Sequence, residues 1–576
     1  MTALAGNLYL LLAALGLALS ASYAGLPVLG QGAFVALGAF GVVHLDRAGW
    51  PLGLAVLGVV VLAAVAGYAV GYGAARLYGA FLALATWALA WLVYAVLIAF
   101  PALSGGSQGL TRQVPARLVF PSLGITLTLE PAAHAAVAAL LCVAGMAGLA
   151  RGGRGPGALD LAAMRAGPAV ADSLGVPVAR RRRSVLATTA AVGALAGAGS
   201  AVLYGVVAPA DYSPLLSLEL LAAVLIGGTA RWWGAAVGVA VLAALPFLAD
   251  SVAALAGTDP QRVRVVLSAA LLVAVLLLRR PAGGLAHRVP LRPRRATAVP
   301  ANAAGRLREP VAPDPALLEA YGLSLSYGAV QALAGVDVTA RAGELLAVVG
   351  PNGSGKSTLL RVLAGAVAPH AGSVLVGGSP RPIPRSQAER VHAGVARTYQ
   401  KTALLPRLTP LEQVAVGVRG GERTSCAALR HLAGTPSSRP ETARRTAVAL
   451  ETLAVCGLGE RAGAATSTLT GSEQRLLQVA RVVATGAGVL LLDEPAAGMS
   501  APERGRLGAL LRRLVDGGRA VVLVEHDMAL VGRVADRVVV LADGRVLATG
   551  TPAQVRADPA VRRAYLGADP AAAPEA

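Results

Sequence analysis

The eight residues from Gly350 to Ser357 read GPNGSGKS, a spacing of glycine, lysine and serine that can bind phosphate. An apolar stretch, LLAVV, precedes them and a helical stretch follows. Glycines free backbone N–H groups to wrap phosphate oxygens, and a helix N-terminus adds the positive end of its dipole. Lys356 is predicted to reach the β- and γ-phosphates of a nucleotide, and Ser357 to ligate Mg²⁺. Lys356 is one of two lysines in a chain that otherwise uses arginine, and its compact charge suits phosphate better than a planar guanidinium.

Three further apolar stretches end in residues that can act on a bound nucleotide. In VLLLDEP, Asp493 is predicted to hold Mg²⁺ through water and Glu494 to polarise the attacking water. In AVVLVEHD, His526 either contacts the γ-phosphate or is structural. Gln400 closes the short strand of ARTYQ and is a candidate positioner of water and Mg²⁺. Tyr327 either stacks on an adenine ring or has an ordinary core or surface role.

The stretch LTGSEQR, which ends at Arg475, opens an amphipathic helix and allows two interpretations. Thr470 and Glu473 have the spacing of a capping box, which needs no ligand. The same residues, with Gly471 and Ser472 between them, also form a candidate loop for contacting phosphate. The residues alone leave both interpretations open.

The elements that carry these motifs occupy the second half of a chain whose first half contains almost all the long uncharged apolar runs. The chain has 576 residues, of which 55% are hydrophobic and 14% charged, and its long apolar runs precede residue 280. Runs of about 18 or more apolar residues are typical of membrane helices. About nine such segments are predicted, near 3–23, 28–45, 52–73, 79–100, 131–150, 184–207, 214–229, 233–250 and 264–279.

The distribution of arginines predicts the orientation of this membrane domain. The loop 151–183 is rich in arginine and is therefore predicted to be cytoplasmic. With nine spans, the N-terminus lies outside and the second half of the chain lies in the cytoplasm. Glu219 stands inside an apolar run, where it is either a functional site or a hydrogen bond between helices. We attribute the net charge of +20 to composition and membrane-flanking arginines, and expect membrane lipid but no nucleic acid as a partner.

These patterns divide the chain into four predicted parts. We predict a polytopic α-helical membrane domain at 1–280 and a linker rich in proline and arginine at 281–316. An α/β P-loop NTPase domain with a helical subdomain is predicted at 317–568, followed by a disordered tail at 569–576. The three cysteines are widely spaced and show neither a metal pattern nor a disulfide framework.

In their order, the glycine loop, ARTYQ, the LTGSEQR stretch, LLLDEPAAG and VEHDM resemble an ATP-binding-cassette ATPase over about residues 317–568. The cassette is similar to the LivG type of branched-chain amino-acid importers. Over roughly residues 10–280, SYAGLPVLGQGAFVALGAF and SLELLAAVLIGGTARWWGAAVG resemble the LivM-type permease of the same importers. The resemblance implies a fused permease–ATPase subunit in the plasma membrane, driving ATP-dependent uptake of branched-chain or related amino acids.

The family also implies the partners and the nucleotide site. The expected partners are an extracytoplasmic solute-binding protein, a second permease and a second cassette, and the cofactors are ATP and Mg²⁺. Two cassettes sandwich two ATP molecules, each between the glycine loop of one and the signature loop of the other, and the segment 164–175 is expected to dock on a cassette. Catalysis is assigned to Glu494, His526 and Lys356, and Mg²⁺ to Ser357, Gln400 and Asp493. The expected nucleotide-binding residues are Tyr327, Gly350, Asn352, Gly353, Ser354, Gly355, Lys356, Ser357, Thr358 and Gln400.

The signature loop departs from the family pattern, because Ser472 replaces its second glycine. That glycine permits close approach of the backbone to the partner's γ-phosphate, so we expect a signature loop by position with weakened function. Two alternatives to the main interpretation remain. The importer carries urea, amides or another small solute instead, or the chain is an ABC exporter half-transporter, which normally has long charged cytoplasmic helices that this sequence lacks.

Overall fold

The computed structural model describes most of the chain, in residues 1–73, 77, 79–112, 116–120, 125–152, 156–228, 232–278, 318–377, 386–400, 403–418 and 438–566. The predicted linker 281–316 and the predicted tail 569–576 lie outside these residues. The described residues fall into two compact units. One contains 1–165 and 179–278, and the other contains 166–178 together with the described residues from 318 to 566 except Ser438.

All nine apolar segments predicted in the first unit are helical, and the polytopic α-helical prediction is confirmed. Six of them are long and apolar enough to cross a membrane, whereas the predicted total of nine spans stays a prediction. The helices are Thr2–Ala18, Gln31–Arg47, Leu52–Gly73, Ala80–Ala99, Pro131–Gly152, Val178–Tyr204, Pro214–Gly227, Gly234–Ala256 and Pro260–Leu278. Shorter elements are the helices Pro101–Ser104 and Pro156–Ala166, and the strand pairs Leu110–Thr111 with Val206–Val207 and Ala116–Phe120 with Ile125–Leu129.

Small residues allow these helices to pack with their backbones nearly in contact. A Cβ atom at Gly38 would lie 2.0 Å from the carbonyl oxygen of Ala194. A Cβ atom at Gly238 would lie 1.7 Å from the carbonyl oxygen of Ala223. Lipid tails provide no hydrophobic drive between helices, so close van der Waals packing of this kind holds membrane helices together.

The first two helices are separated by a break in regular structure. The first helix continues as a π-helical turn, Leu19–Tyr23, and the second begins at Gln31. Side chains of other helices accept hydrogen bonds from the backbone here, since Thr86 Oγ1 lies 2.9 Å from the Leu29 nitrogen and Ser217 Oγ 2.9 Å from the Gly32 nitrogen. Irregular backbone at membrane depth is tolerated only when protein groups satisfy it in this way.

The helix predicted at 184–207 begins earlier, at Val178, so that Arg180 to Arg183 lie on its first turns and not in the preceding loop. Arg181 donates to the Asp160 carboxylate at 2.9 Å, and both side chains are nearly buried. The Arg183 guanidinium lies 4.4 Å from the centre of the Tyr72 ring. Arginine is a good helix former, and these partners stabilise charges that a hydropathy pattern assigns to a loop.

The segment 166–178 belongs to the same compact unit as the cassette, although the sequence assigns it to the membrane domain. It contains the short helix Pro168–Ser173, which lies within the segment predicted to dock on a cassette. The Tyr399 hydroxyl donates to the Ala169 carbonyl oxygen at 2.9 Å. A Cβ atom at Gly167 would lie 3.0 Å from a methyl group of Leu405. The segment therefore packs against cassette residues that surround the strand end at Gln400.

The cassette is built on two sheets, and the predicted α/β class is confirmed. The larger sheet has six strands in the spatial order Arg545–Gly550, Arg537–Ala542, Leu345–Val349, Ala520–Val524, Val489–Asp493 and Val395–Arg397. All neighbours in it are parallel except the first pair. The smaller sheet is antiparallel, in the order Val330–Ala340, Leu318–Tyr327 and Ala371–Val376. Because the carboxyl ends of parallel strands share one edge, the ends of four motif-bearing strands meet there.

One hydrophobic core joins the two sheets. The helix Lys356–Leu363 buries Leu359 and Leu360 against Leu323 of the smaller sheet and Leu346 of the larger one. The remaining helices are Gln387–His392, Pro410–Gly417, Ser438–Val455, Gly471–Ala484, Ala501–Asp516, Met528–Val534, Pro552–Ala557 and Pro559–Leu566. This packing holds the glycine loop rigidly at the edge where the strand ends meet.

Candidate nucleotide site

All three glycines of the loop, Gly350, Gly353 and Gly355, have a positive φ, a conformation that glycine adopts without strain. Gly350 has φ 152°, and a Cβ atom there would lie 2.1 Å from the Leu541 carbonyl oxygen. Gly355 has φ 101°, and its Cβ would lie 2.4 Å from the Ala332 carbonyl oxygen. The loop runs from the buried strand Leu345–Val349 into a helix, as predicted. Its backbone N–H groups can therefore surround a phosphate at the helix N-terminus.

Lys356 is buried beside this loop and is held by the loop's own carbonyl groups. Its ammonium donates to the carbonyl oxygens of Gly350 and Pro351, both at 2.8 Å. Burial lowers the pKa of Lys356, and the nearby carboxylates of Glu494 and Asp493 oppose that effect. A compact cation is thus positioned at the phosphate-binding loop before any nucleotide binds.

Two buried oxygen atoms at the site have no hydrogen-bond partner among the residues that the structure describes. They are Oδ1 of Asp493 and the hydroxyl of Ser354. The other carboxylate oxygen of Asp493 accepts from Arg397 at 2.9 Å, and the Asp493 backbone N–H donates to the Thr398 hydroxyl at 2.9 Å. Buried polar atoms are normally paired, so unpaired ones indicate a missing ligand. A hydrated Mg²⁺ beside Asp493 and a phosphate oxygen beside Ser354 fit this chemistry.

Glu494, Gln400 and His526 come together from three different strand ends. The Glu494 carboxylate accepts from the Gln400 side-chain amide at 3.0 Å, and Nε2 of His526 lies 3.2 Å from the same oxygen. The Arg475 guanidinium donates to the Gln400 backbone carbonyl. This arrangement orients one carboxylate for accepting a proton from water.

The backbone at Glu494 is itself unusual. Its φ of 48° lies in the left-handed region, which costs a residue other than glycine about 1–2 kcal/mol. The Glu494 N–H donates to the Val524 carbonyl at 2.9 Å. Glu525 is buried and accepts from the backbone N–H of Ala496 at 2.7 Å, which fixes the turn that follows Glu494. Strain retained at a strand end is typical of functional sites.

The predicted capping box at the LTGSEQR stretch is confirmed. Thr470 precedes the helix Gly471–Ala484, its hydroxyl accepts from the Glu473 N–H at 3.2 Å, and the Glu473 carboxylate accepts from the Thr470 N–H at 2.8 Å. The Ser472 hydroxyl donates to the Glu503 carboxylate at 2.5 Å. This bond and those from Ser500 lower the pKa of Glu503 to about 2. The extra side chain of Ser472 is thus bonded within its own cassette.

The other predicted nucleotide residues lie in the loop, at the start of the following helix and at the end of a strand of the smaller sheet. Asn352 and Gly353 are exposed, and Ser357 and Thr358 are half-buried at the start of the helix. Tyr327 ends the strand Leu318–Tyr327 and is 46% exposed, so its ring is free to contact a base.

Two residues at the site escaped the sequence analysis, namely Arg397 and Glu525. Arg397 is 7% exposed on a three-residue buried strand, and a charge on such a strand signals a specific partner. Glu525 immediately follows the buried strand Ala520–Val524 and is 4% exposed.

In the membrane unit, Glu219 is exposed and forms no hydrogen bond with the residues that the structure describes. The hydrogen bond between helices considered for it is therefore not found.

Three protein-family models match the chain. The permease component of branched-chain amino acid transport systems matches residues 2–276, and the ABC transporter model matches residues 333–497. The model of the branched-chain amino acid ATP-binding cassette transporter matches residues 545–571.

Curated relatives match the chain over somewhat less than half its length. The high-affinity branched-chain amino acid transport ATP-binding protein BraF of Pseudomonas aeruginosa is 35% identical over 253 residues, 44% of this chain and 98% of that protein. The corresponding LivG of Escherichia coli is 36% identical over 256 residues, 44% of this chain and 98% of that protein. The ribose import ATP-binding protein RbsA of Yersinia pestis is 34% identical over 249 residues, 43% of this chain and 46% of that protein.

Proposed function

This chain belongs to the family of branched-chain amino acid ABC transporters, as a permease fused to an ATP-hydrolysing cassette, and we propose that it drives uptake of branched-chain or related hydrophobic amino acids. The chain is a multi-pass membrane protein with a cytoplasmic ATPase domain. The observation that carries the proposal is the match of residues 2–276 to the permease of that transport system. The permease, not the ATPase, contacts the transported solute.

An uptake assay tests the direction and the solute. The complete transporter is reconstituted in proteoliposomes with ATP on the cassette side, and the solute-binding protein presents radiolabelled leucine on the other side. We expect leucine, isoleucine or valine to accumulate only with ATP. Accumulation of urea or an amide instead would support the alternative solute. The cassette is also similar to the ATPase of a ribose importer, so similarity of the cassette does not by itself identify the solute. ATP-dependent loss of preloaded leucine would refute import.

We propose that the side chains that meet at the strand ends are already positioned for ATP hydrolysis. We assign the attacking water to Glu494, with Gln400 and His526 holding that carboxylate and contacting the water or the γ-phosphate. Lys356 exchanges its contacts with loop carbonyls for the β- and γ-phosphates when ATP binds. Charge that develops in the transition state is stabilised by this preorganised set.

Mg²⁺ is expected to be held by Ser357 and Gln400, and through water by Asp493. When bound, the ion neutralises charge on the β- and γ-phosphates. Among the described residues, no group of three or more histidine, cysteine, aspartate or glutamate side chains could hold a metal alone. Mg²⁺ usually relies on one or two protein ligands together with phosphates and waters.

The assembly that we propose needs three further proteins. A second cassette supplies its own signature loop to the ATP bound here, and Thr470, Gly471, Ser472 and Glu473 contact the ATP of that partner. A second permease completes the translocation path, and an extracytoplasmic solute-binding protein delivers the amino acid. Membrane lipid surrounds the exposed apolar helices.

The helix Pro168–Ser173 is proposed to couple the cassette to the permease. Tyr399, whose hydroxyl contacts the Ala169 carbonyl, directly precedes Gln400 in the chain. Gln400 in turn contacts Glu494. A movement of the helix therefore reaches the hydrolytic carboxylate through two adjacent residues and the two hydrogen bonds that flank them. The same connection operates in reverse when ATP binds.

Replacing Tyr399 with phenylalanine should weaken this coupling while leaving hydrolysis intact. The variant loses the contacts of the hydroxyl with the Ala169 carbonyl and the Gln387 side chain, which share one donated proton. Together they are worth about 1 kcal/mol, so we expect roughly a fivefold fall in leucine transported per ATP hydrolysed. Uptake and ATP turnover are measured on the same proteoliposomes. Tyr321→Phe, which alters an exposed cassette tyrosine, serves as the matched control. An equal transport ratio in both variants and wild type would exclude a coupling role for the hydroxyl.

Ser472 offers a second test, which concerns only the ATP bound by the partner cassette. We expect Ser472→Gly to raise the ATPase rate of a heterodimeric transporter, because the Cβ atom stands where the family has glycine. Strain or a displaced contact of about 1–3 kcal/mol would lower the rate at that site by roughly fivefold or more. The two ATP sites of the cassette pair would then be unequal, and the site formed by Lys356 and Glu494 would carry out most of the hydrolysis.

Two control variants separate the Cβ atom from the hydroxyl. Ser472→Ala keeps the Cβ atom but removes the bond to Glu503, and Glu503→Gln weakens the same bond from the other side. An obstructing Cβ predicts a rise for the glycine variant alone. Equal falls in all three variants would mean that the Ser472–Glu503 bond supports the signature loop and that the serine is beneficial.

A further inference from the structure

The membrane unit contains a cavity of about 500 Å³ that none of the preceding assignments uses. It lies among the first, second, sixth and seventh long helices and the short turn Pro209–Tyr212. A volume of this size suits a small organic molecule with several waters. All of its lining residues belong to the same compact unit.

Close helix contacts show which end of these helices the cavity occupies. The helix Thr2–Ala18 runs antiparallel to the helix Val178–Tyr204, since Gly6 abuts Tyr204 whereas Gly16 abuts Thr189. A Cβ atom at Gly6 would lie 1.9 Å from the Tyr204 hydroxyl, so glycine there makes room for that ring. Residues near the start of the first helix therefore lie at the same end as Tyr204 and the turn that follows it. The arginines 180–183 lie at the opposite end of the long helix, roughly 30 Å away at 1.5 Å per residue.

The lining changes from polar to apolar between these ends. Asn7, Tyr204, Asp211 and Tyr212 lie at the end that bears the turn, and the Ser200 hydroxyl lies 3.4 Å from the Tyr212 hydroxyl. The rest of the lining is largely aliphatic and includes Ala13, Val35, Leu216 and Leu220, together with Tyr9. Leu216 and Leu220 are four residues apart and share one helix face. The cavity thus has hydrogen-bonding groups at its mouth and an apolar floor.

Asp211 gives the mouth a single charge. It is exposed, and it forms no ion pair with any residue that the structure describes. No lysine, arginine or histidine occurs among the described lining residues. A carboxylate with uncharged donors around it selects an ammonium group and can hydrogen-bond a neighbouring carboxylate through the donors. The floor offers only dispersion contacts and burial to the remainder of the ligand.

We propose that this cavity is a binding site within the permease for an aliphatic α-amino acid. Its ammonium pairs with Asp211, its carboxylate accepts from Asn7 and the tyrosine hydroxyls, and its side chain packs on Leu216, Leu220 and Val35. The assignment rests on the proposed function, because it takes the transported solute as the ligand. It adds a location and a chemical basis for choosing amino acids over neutral amides, which lack the cation.

Protection from chemical modification tests the assignment in the complete transporter. Leu216→Cys is introduced into a cysteine-free background and modified with methyl methanethiosulfonate in the absence and presence of L-leucine. The adjacent Leu215→Cys is the matched control, because Leu215 is 68% exposed and does not line the cavity. We expect L-leucine to slow modification of Leu216→Cys at least fivefold and to leave Leu215→Cys unchanged. N-acetyl-leucine, which has no ammonium, should not protect.

Adding Asp211→Asn should raise the leucine concentration for half-protection about tenfold or more, because a charge-assisted hydrogen bond is lost. Glu130→Gln, an exposed carboxylate outside the cavity, should not shift it. Absent protection in a transporter that still imports leucine would overturn the site while sparing the proposed function. If Leu216→Cys can be modified only after lipid is removed, lipid occupies the cavity, and the proposed amino-acid site is also overturned. A wild-type transporter that imports no leucine would refute the proposed function first.

Discussion

Replacing Glu494 with glutamine is expected to lower the ATPase rate of the complete transporter at least about tenfold while ATP stays bound. Glutamine keeps the size of the side chain but cannot accept the proton of the attacking water. Loss of a general base usually slows the chemical step by about a hundredfold or more. The structure supports this role, because Gln400 and His526 both contact the carboxylate and the backbone at Glu494 is strained into φ 48°. A slowed site should also hold the cassettes closed for longer.

Two measurements, the ATPase rate and the amount of retained nucleotide, distinguish a general-base role of Glu494 from other roles. ATP turnover and retained nucleotide are measured on the same purified complex, and Glu460→Gln, at an exposed cassette carboxylate, is the control. A tenfold fall with normal ATP binding agrees with a general base at the dominant site. A loss of only half the activity would mean that the partner's site hydrolyses equally well and that Ser472 is tolerated. Full activity would remove Glu494 from the reaction.

Replacing Lys356 with alanine is expected to abolish transport for a different reason. We propose that the ammonium reaches the phosphates directly, and loss of its charge-assisted hydrogen bonds should then weaken ATP binding roughly tenfold to a hundredfold. Lys356 also bonds the carbonyls of Gly350 and Pro351, so the free loop loses order in the variant. Titration of the transporter with a fluorescent ATP analogue measures the affinity, and thermal unfolding reports on the fold.

Lys356→Arg is the informative companion variant. Arginine keeps the positive charge but replaces a compact ammonium with a planar fork on a buried stem. We expect this variant also to fail in hydrolysis, because the loop carbonyls at 2.8 Å leave room for one nitrogen and not for a guanidinium. Normal turnover in the arginine variant would mean that charge alone matters. Normal affinity in the alanine variant would remove Lys356 from the nucleotide site.

The sequence alone determined those features that depend on neighbouring residues. A phosphate loop needs consecutive backbone N–H groups and a following helix, so GPNGSGKS after an apolar strand is sufficient to predict it. The capping box of Thr470 and Glu473 is equally local, because its two hydrogen bonds span three residues. The apolar helices of the first half follow from length and hydropathy, since backbone groups in lipid must be satisfied within the segment.

Only the tertiary structure decided which of these residues meet. Gln400, Glu494 and His526 lie up to 126 positions apart in the chain, and parallel pairing of their strands places them on one edge. The chain pattern identified each residue but could not exclude a structural role for the histidine. The bond from Ser472 to Glu503 spans 31 positions, and no spacing rule predicts it.

Packing between residues remote in sequence also explains what the sequence patterns missed. A hydropathy pattern treats arginines 180–183 as loop residues, because it cannot register the carboxylate of Asp160 that pairs with Arg181. The family resemblance leads us to expect that 164–175 docks on a cassette, but only contacts such as that between Tyr399 and Ala169 show which residues 166–178 meets there. The cavity with Asp211 at its mouth arises where separate helices and a turn meet. Distances between residues remote in sequence depend on how whole elements pack, and this information is absent from any local stretch of the chain.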